Sequence, residues 1–337
     1  VNDEATSVVR VGVVGAGAMG AAHVQTLTRW VGGARVSAVH DADPERTAQV
    51  AQLAGARAAA SAEQLVGADD VDAVLVAAPD PLHEELVLAC LAGGLPVLCE
   101  KPLATGTEGS RRVVDAELAG GRRLVQVGFM RRFDPAYVEL RALVRSGALG
   151  DVRAAHCVHR NAQAHPDATS EGVLVNSMIH ELDVVPWLLD DPLAAVTVHA
   201  ARVPAGALRD VQVAVLETVA GAVVTVEVSV NARYGYDIHT EVVGTAGTAS
   251  LTPPYGLGVR RAGLSGRVVG GDFVARFADA YREELAAWVQ GIREDRPVGP
   301  SAWDGHRANL AASAAVESLH GAGRVEVPHE PTPPLYA

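Results

Sequence analysis

Apolar residues fall along this chain in two rhythms, and the rhythm changes once. In the first part, short β-branched runs alternate with stretches of helical spacing. Val8 to Val14, Val36 to Val39, Asp72 to Ala78, Val97 to Cys99 and Leu124 to Phe129 read as strands, each a short apolar run bounded by turn residues. Met19 to Trp30, His83 to Leu91 and Thr107 to Ala119 read as helices between them. Strand and helix alternating over short connections predict a parallel sheet covered on both faces.

After about residue 128 the pattern changes. A helix over Pro135 to Arg145 leads to a strand over Val152 to His159, and a second helix covers Met178 to Leu189, with a kink expected at Pro186. Strands then follow with few helices between them: Ala195 to Val203, Val211 to Val219, Val223 to Val230 and Ile238 to Val243. Ala222 to Val230 alternates valine with small or polar residues, as in a sheet with one buried face. Two helices, Phe273 to Arg293 and Trp303 to His320, precede a Pro-rich end, Pro328 to Ala337, expected to be extended. The expected fold is α/β: an N-terminal doubly wound Rossmann domain, residues 1–127, and a C-terminal α+β domain with a large, mostly antiparallel sheet, residues 128–337.

Composition narrows the function. The chain has 337 residues, 49% of them hydrophobic, and a formal net charge of −12. That charge excludes a general attraction for nucleic acid or an anionic membrane. No apolar run is long enough to span a bilayer, and the acidic start, Val1-Asn2-Asp3-Glu4, is not a signal peptide. Cys90, Cys99 and Cys157 are odd in number and lack metal-ligand spacing, which favours a reducing compartment. The expectation is a soluble, cytoplasmic protein. One count changes the picture: of 28 basic residues, 27 are Arg and one is Lys. A guanidinium keeps its proton in a protein, whereas an ammonium can be tuned by burial, so the single lysine marks a position where Arg will not serve.

The first strand runs directly into Gly15-Ala16-Gly17-Ala18-Met19-Gly20 and then a helix. In this setting Gly15 permits the tight turn, Gly17 lets the backbone approach a pyrophosphate, and Gly20 allows helix and strand to pack closely. Ala18 and Met19 complete the loop, and the helix N-terminus favours the phosphates. Asp41 ends the second strand, 21 residues after Gly20. A carboxylate there accepts hydrogen bonds from a ribose diol and repels a 2′-phosphate, favouring NAD over NADP, although Arg46 stands nearby. The single lysine, Lys101, lies in Glu100-Lys101-Pro102, just past the carboxyl end of a strand, where open α/β sheets bind ligands. Its X-Pro bond is a candidate for the cis isomer. The other candidate is His180, with Asn176 four residues before it on the same helical face.

The chain resembles the glucose–fructose oxidoreductase/inositol dehydrogenase/rhizopine-catabolism family. The resemblance is carried by VGVVGAGAMGAAH at Val11 to His23, APDPLHEEL at Ala78 to Leu86 and LCEKPLA at Leu98 to Ala104. VGFMRRFDPAY at Val127 to Tyr137, HCVHRN at His156 to Asn161, IHELDVVPWLL at Ile179 to Leu189, ARYGYDI at Ala232 to Ile238, EVVGTAG at Glu241 to Gly247 and GPSAWDG at Gly299 to Gly305 are similar to the inositol 2-dehydrogenase branch. The resemblance implies that Lys101 and His180 contact the reacting hydroxyl. It implies that Met130, Arg131, His159, Asn161, Ser177 and Tyr236 hold the polyol. Pro79, His83 and Glu100 would belong to the cofactor edge, and a homotetramer would pack through the outer face of the large sheet.

The implied reaction is NAD-dependent oxidation of a cyclitol hydroxyl, myo-inositol to scyllo-inosose, with His180 as general base, Lys101 donating to the developing alkoxide and Asn176 orienting His180. Two departures bear on the substrate. The family usually carries Asp where this chain has Asn176, and the segment Ala162 to Leu174 differs from the inositol pattern. Either His180 is a weaker base or the pocket suits an aminocyclitol, scyllo-inositol or a glycoside. A non-catalytic NAD(P)-binding sensor is disfavoured by the presence of both Lys101 and His180. A metal site built from His156, His159, His180 and Asp183 is disfavoured by spacing, so no metal is expected.

Overall fold

The structure, a computed structural model, describes residues 8–251 and 258–337; the acidic start, Val1 to Glu4, lies outside them. The chain divides into two compact units. The first is not one stretch: it takes residues up to Phe133, then Asp279–Asn309 and Pro331–Ala337, and the second holds Asp134–Ala278 and Leu310–Glu330. A single cut near residue 128 misses these returns because returning helices carry apolar faces that complete a core begun earlier in the chain.

The first unit is built on six parallel strands: β1 (Val9–Val14), β2 (Ala34–His40), β3 (Arg57–Ala58), β4 (Ala73–Val76), β5 (Val97–Glu100) and β6 (Val125–Gly128). Their order is β3-β2-β1-β4-β5-β6, so strand order reverses between β1 and β4. Helices α1 (Ala18–Trp30), α2 (Pro44–Ala54), α3 (Ala62–Val66), α4 (His83–Ala92) and α5 (Thr107–Gly120) connect them. Side chains alternate across a strand. Val11 and Val13 of β1 join a core with Val24 and Leu27 of α1, Val50 of α2, and Leu285 and Trp288 from the returning segment. Gly12 faces the other way, where a Cβ would come within 2.5 Å of Leu65 of α3. Both faces are therefore covered, as the apolar runs predict. Helix α2, absent from the sequence reading, starts with Asp43 capping Glu45 and Arg46 and with Pro44 at its first turn.

The second unit opens with α6 (Pro135–Arg145) and carries a seven-stranded sheet. Its members are β7 (Val152–Arg160), β8 (Leu193–Ala200), β9 (Gln212–Thr218), β10 (Val223–Ser229), β11 (Asp237–Gly244), β12 (Thr248–Ser250) and a last short strand at Val325–Glu326. All neighbours pair antiparallel except β7 and β10. Val224, Val226 and Val228 of β10 are fully buried while Thr225 and Glu227 between them are not, which is the one-faced alternation expected.

Two helices depart from their expected form. Phe273 to Arg293 is split into Phe273–Arg276 and Ala278–Arg293, because Phe277 leaves helical geometry and buries its ring 6.2 Å from Tyr236. The helix expected from Met178 is α-helical over Ile179–Leu189, through Pro186, and is preceded by a wider π-turn over Val173–Met178. The Pro-rich end closes in a short 3-10 turn, Pro334–Tyr336.

Helix α6 is tied down at its start. Asp134 accepts from the Ala136 and Tyr137 amides through Oδ1 and from Arg276 Nη1 at 2.7 Å through Oδ2, both side chains being largely buried. Asp134→Ala removes the cap and strands a buried guanidinium, and should cost about 3 kcal/mol. Urea unfolding checks this, with Asp134→Asn, which keeps an acceptor oxygen, falling between the two.

Candidate active site

In the first unit the site grows from the β1–α1 turn. Gly15 has φ +99°, and a Cβ there would meet the Ala77 carbonyl at 2.3 Å. At Gly20 a Cβ would fall 1.8 Å from the Gly15 oxygen. These two glycines are demanded by the protein itself. Gly17 is different. Its φ of −65° suits any residue, and a Cβ there would meet nothing within 4 Å. It caps α1 with no side-chain hydrogen bond, so the first-turn amides are left for an anion. Ala18 is exposed and Met19 half-buried beside it.

Asp41, past the end of β2, accepts from the Ala16 amide at 2.7 Å and the Asp43 amide at 2.9 Å, one on each oxygen. Arg46, the residue that could welcome a 2′-phosphate, donates instead to Asp43 at 3.1 Å.

Lys101 follows β5, and its peptide bond to Pro102 is cis. Glu100 is buried with its Oε1 2.7 Å from His23 Nε2 and its Oε2 accepting from the Lys101 amide at 3.3 Å. Burial raises the Glu100 pKa, but His23 and Lys101 more than offset this and hold it below the usual carboxylate range. Burial lowers the Lys101 pKa; Glu100 and Asp80 oppose the shift and Arg131 adds to it. His83 is 1% exposed, with Nδ1 2.7 Å from the Pro102 carbonyl and Nε2 2.9 Å from that of Ala78. It ties two loops at the sheet's edge, whereas Pro79 on the same loop is exposed. Met130 and Arg131, in the turn after β6, are each 1% exposed.

The second unit gathers His159, His180 and Tyr236. The His159 and His180 ring centroids lie 6.2 Å apart, and His159 meets Tyr236 edge-on at 6.0 Å. Asn161 follows β7, its amide held by the Ser229 carbonyl. Glu181, which sequence reasoning passed over, accepts a hydrogen bond from or pairs with His159 Nδ1 at 3.0 Å, both side chains almost fully buried. The available signal was a carboxylate next to His180 in a helix that, apart from Asp183, is otherwise apolar. Ser177 and Asn176 lie in the π-turn, Asn176 exposed while His180 is 7% exposed. The turn is wider than the α-helix on which the shared face of residues 176 and 180 was reasoned.

Residues 9–129 match the oxidoreductase family with an NAD-binding Rossmann fold, and residues 137–250 match the GFO/IDH/MocA C-terminal domain. Inositol 2-dehydrogenase 1 of Saccharopolyspora erythraea is 49% identical over 97% of this chain and 99% of its own. The inositol 2-dehydrogenase of Pseudomonas fluorescens is 43% identical over 97% and 99%. The myo-inositol dehydrogenase of Lactobacillus casei, solved in complex with NAD(H) and myo-inositol, superposes with a TM-score of 0.93 at 36% identity, covering 98% of this chain and 100% of that one. The chain belongs to the GFO/IDH/MocA oxidoreductase family.

The residues present fit the NAD of this family: an uncapped helix start, a Gly17 whose missing Cβ leaves open space, and the Asp41 carboxylate at the end of β2. Among the described residues no group of three or more His, Cys, Asp and Glu side chains could hold a metal ion, and no helix is long and apolar enough to cross a membrane. The glycines separate experimentally. Gly17→Ala should keep the wild-type melting temperature yet raise the NAD dissociation constant at least about tenfold, because its methyl occupies space only a ligand needs. Titration of nucleotide fluorescence beside a thermal melt checks both halves.

Proposed function

We propose that this NAD-dependent dehydrogenase oxidises one secondary hydroxyl of a cyclitol, with myo-inositol to scyllo-inosose as the leading reaction. The observation that carries the reading is the likeness, over nearly the full length of both chains, to the structure solved with NAD(H) and myo-inositol. NAD, when bound, supplies the hydride acceptor; Gly15, Gly17, Ala18, Met19, Gly20 and Asp41 hold it, with Pro79, His83, Glu100 and Lys101 at its edge.

Oxidation removes a proton from oxygen and a hydride from the same carbon, leaving a carbonyl. His180 accepts the proton, since imidazole is suited to exchange protons near neutral pH. Lys101 donates a hydrogen bond to the oxygen as negative charge develops on it. Asn176 orients His180. His159, Asn161, Ser177 and Tyr236 select the ring hydroxyls, with Met130 and Arg131 assigned to the same ring. Glu181 fixes the orientation of His159.

Asn176 in place of the family's Asp favours a second reading, in which the preferred substrate is scyllo-inositol, an aminocyclitol or a glycoside. We also assign the protein to the cytoplasm as a homotetramer. The three cysteines are free and buried, which suits a reducing compartment. Val213 and Val223 stay exposed on the outer face of the large sheet, which suits burial against a second copy.

Lys101→Met should lower kcat by at least about a thousandfold while NAD still binds. NADH formation at 340 nm reads the rate, and near-normal turnover would sink the assignment of Lys101. The same assay on wild type with myo-, scyllo- and D-chiro-inositol, glucose and amino-substituted cyclitols separates the two substrate readings. Failure of every one would leave a non-catalytic sensor.

A further inference from the structure

Lys101 stands between two residues that buried histidines grip. His23 of α1 holds the Glu100 carboxylate at 2.7 Å, and His83 of α4 reaches the Pro102 carbonyl at 2.7 Å. Both rings are 1% exposed, so each contact is sheltered from water. Glu100 has little freedom. Its other oxygen accepts from the Lys101 amide, and the facing residue on β6 is Gly128, where a Cβ would come within 3.1 Å of the carboxylate. Tyr281, from helix Ala278–Arg293, meets the His23 ring edge-on at 5.6 Å and limits its movement.

We propose that His23 is a positioning residue for the reaction: its hydrogen bond fixes the Glu100 carboxylate, which also accepts from the Lys101 amide, so that a stationary negative charge is held at the residue next to Lys101 in the chain. The inference deepens the assignment of Lys101 made above and rests on it for its bearing on catalysis. A donor to an alkoxide must keep its proton, and burial works against that. The groups that bear on Lys101 are Glu100 and Asp80, which favour its charge, and Arg131, which opposes it. Of the two carboxylates only Glu100 is adjacent in the chain, and it is the one His23 holds. Without a donor at residue 23, a buried carboxylate takes up a proton or turns away, and the lysine loses the larger of the two influences that favour its charge.

The chain contains a single lysine, so the idea can be tested without substrate or cofactor. Lysine labelled with 13C at the ε carbon gives one side-chain resonance, that of Lys101, whose shift follows its protonation. His23→Leu and Glu100→Gln should each lower the titration midpoint by about one pH unit relative to wild type. His23→Gln, which keeps an N–H near the position of Nε2, should stay within about 0.3 unit of wild type. His23→Asn, too short to reach Glu100, replaces His23→Leu if that variant does not fold.

The alkaline limb of kcat should move with the midpoint. A purely structural histidine would lower the melting temperature and leave the midpoint in place. A wild-type midpoint in the donor-less variants overturns the proposal, whether or not Glu100→Gln shifts. The underlying reading has its own test: substantial turnover by Lys101→Met would remove Lys101 from the chemistry while leaving the titration result valid.

Discussion

Glu100 keeps a carboxylate out of water at the end of β5, and the surrounding residues answer the cost of doing so. Taking a charge from water costs several kcal/mol unless partners replace the lost hydration. Here the partners are His23 and the Lys101 amide, and Gly128 leaves the space in which the carboxylate sits. His23 can reach it only because α1 lies close to the sheet. That closeness rests on Gly20, where any side chain would collide with the Gly15 carbonyl. The glycine turn therefore has two consequences, a bare helix start for the cofactor and a helix near enough to brace the strand that carries Lys101.

Cofactor choice follows from a similar accounting of charge. Asp41 spends one lone pair of each oxygen on backbone amides, which fixes its direction and leaves further lone pairs for a ribose diol. A 2′-phosphate would arrive beside Asp41 and Asp43 together. Arg46 could relieve that repulsion only by giving up Asp43, which also caps α2. The nearby arginine is thus occupied by Asp43, and Asp41 is the carboxylate left to meet the ribose.

Much of this was legible before any coordinates. The doubly wound sheet follows from runs such as Val11 to Val14, because strands buried on both faces must be apolar without interruption. Lys101 stood out because Arg replaces Lys everywhere else. What stayed hidden depends on geometry that pattern does not carry. Helical spacing looks alike in an α-helix and a π-turn, so the widening at Val173–Met178 left no trace in the order of residues. The break at Phe277 falls at an apolar position that suits a continuous helix equally well, and only its contact with Tyr236 marks it. His83 drew attention through its motif, and the motif did not show that its two ring nitrogens meet the Pro102 and Ala78 carbonyls. The cap at Asp43-Pro44 was present in the sequence and was passed over.

Asn176, standing where the family resemblance leads one to expect Asp, raises the question of what an absent negative charge means for His180 as the proposed base. The second unit holds another carboxylate among the same residues. Glu181 pairs with His159, whose ring lies 6.2 Å from that of His180. Asn176 is exposed, so a carboxylate at residue 176 would be screened by solvent, whereas Glu181 at 1% exposure is not. The orienting role proposed for Asn176 then calls for a hydrogen bond more than for a charge, and an amide, which both donates and accepts, can supply it. On the proposed reading, the substitution therefore bears on substrate choice more than on the proton transfer.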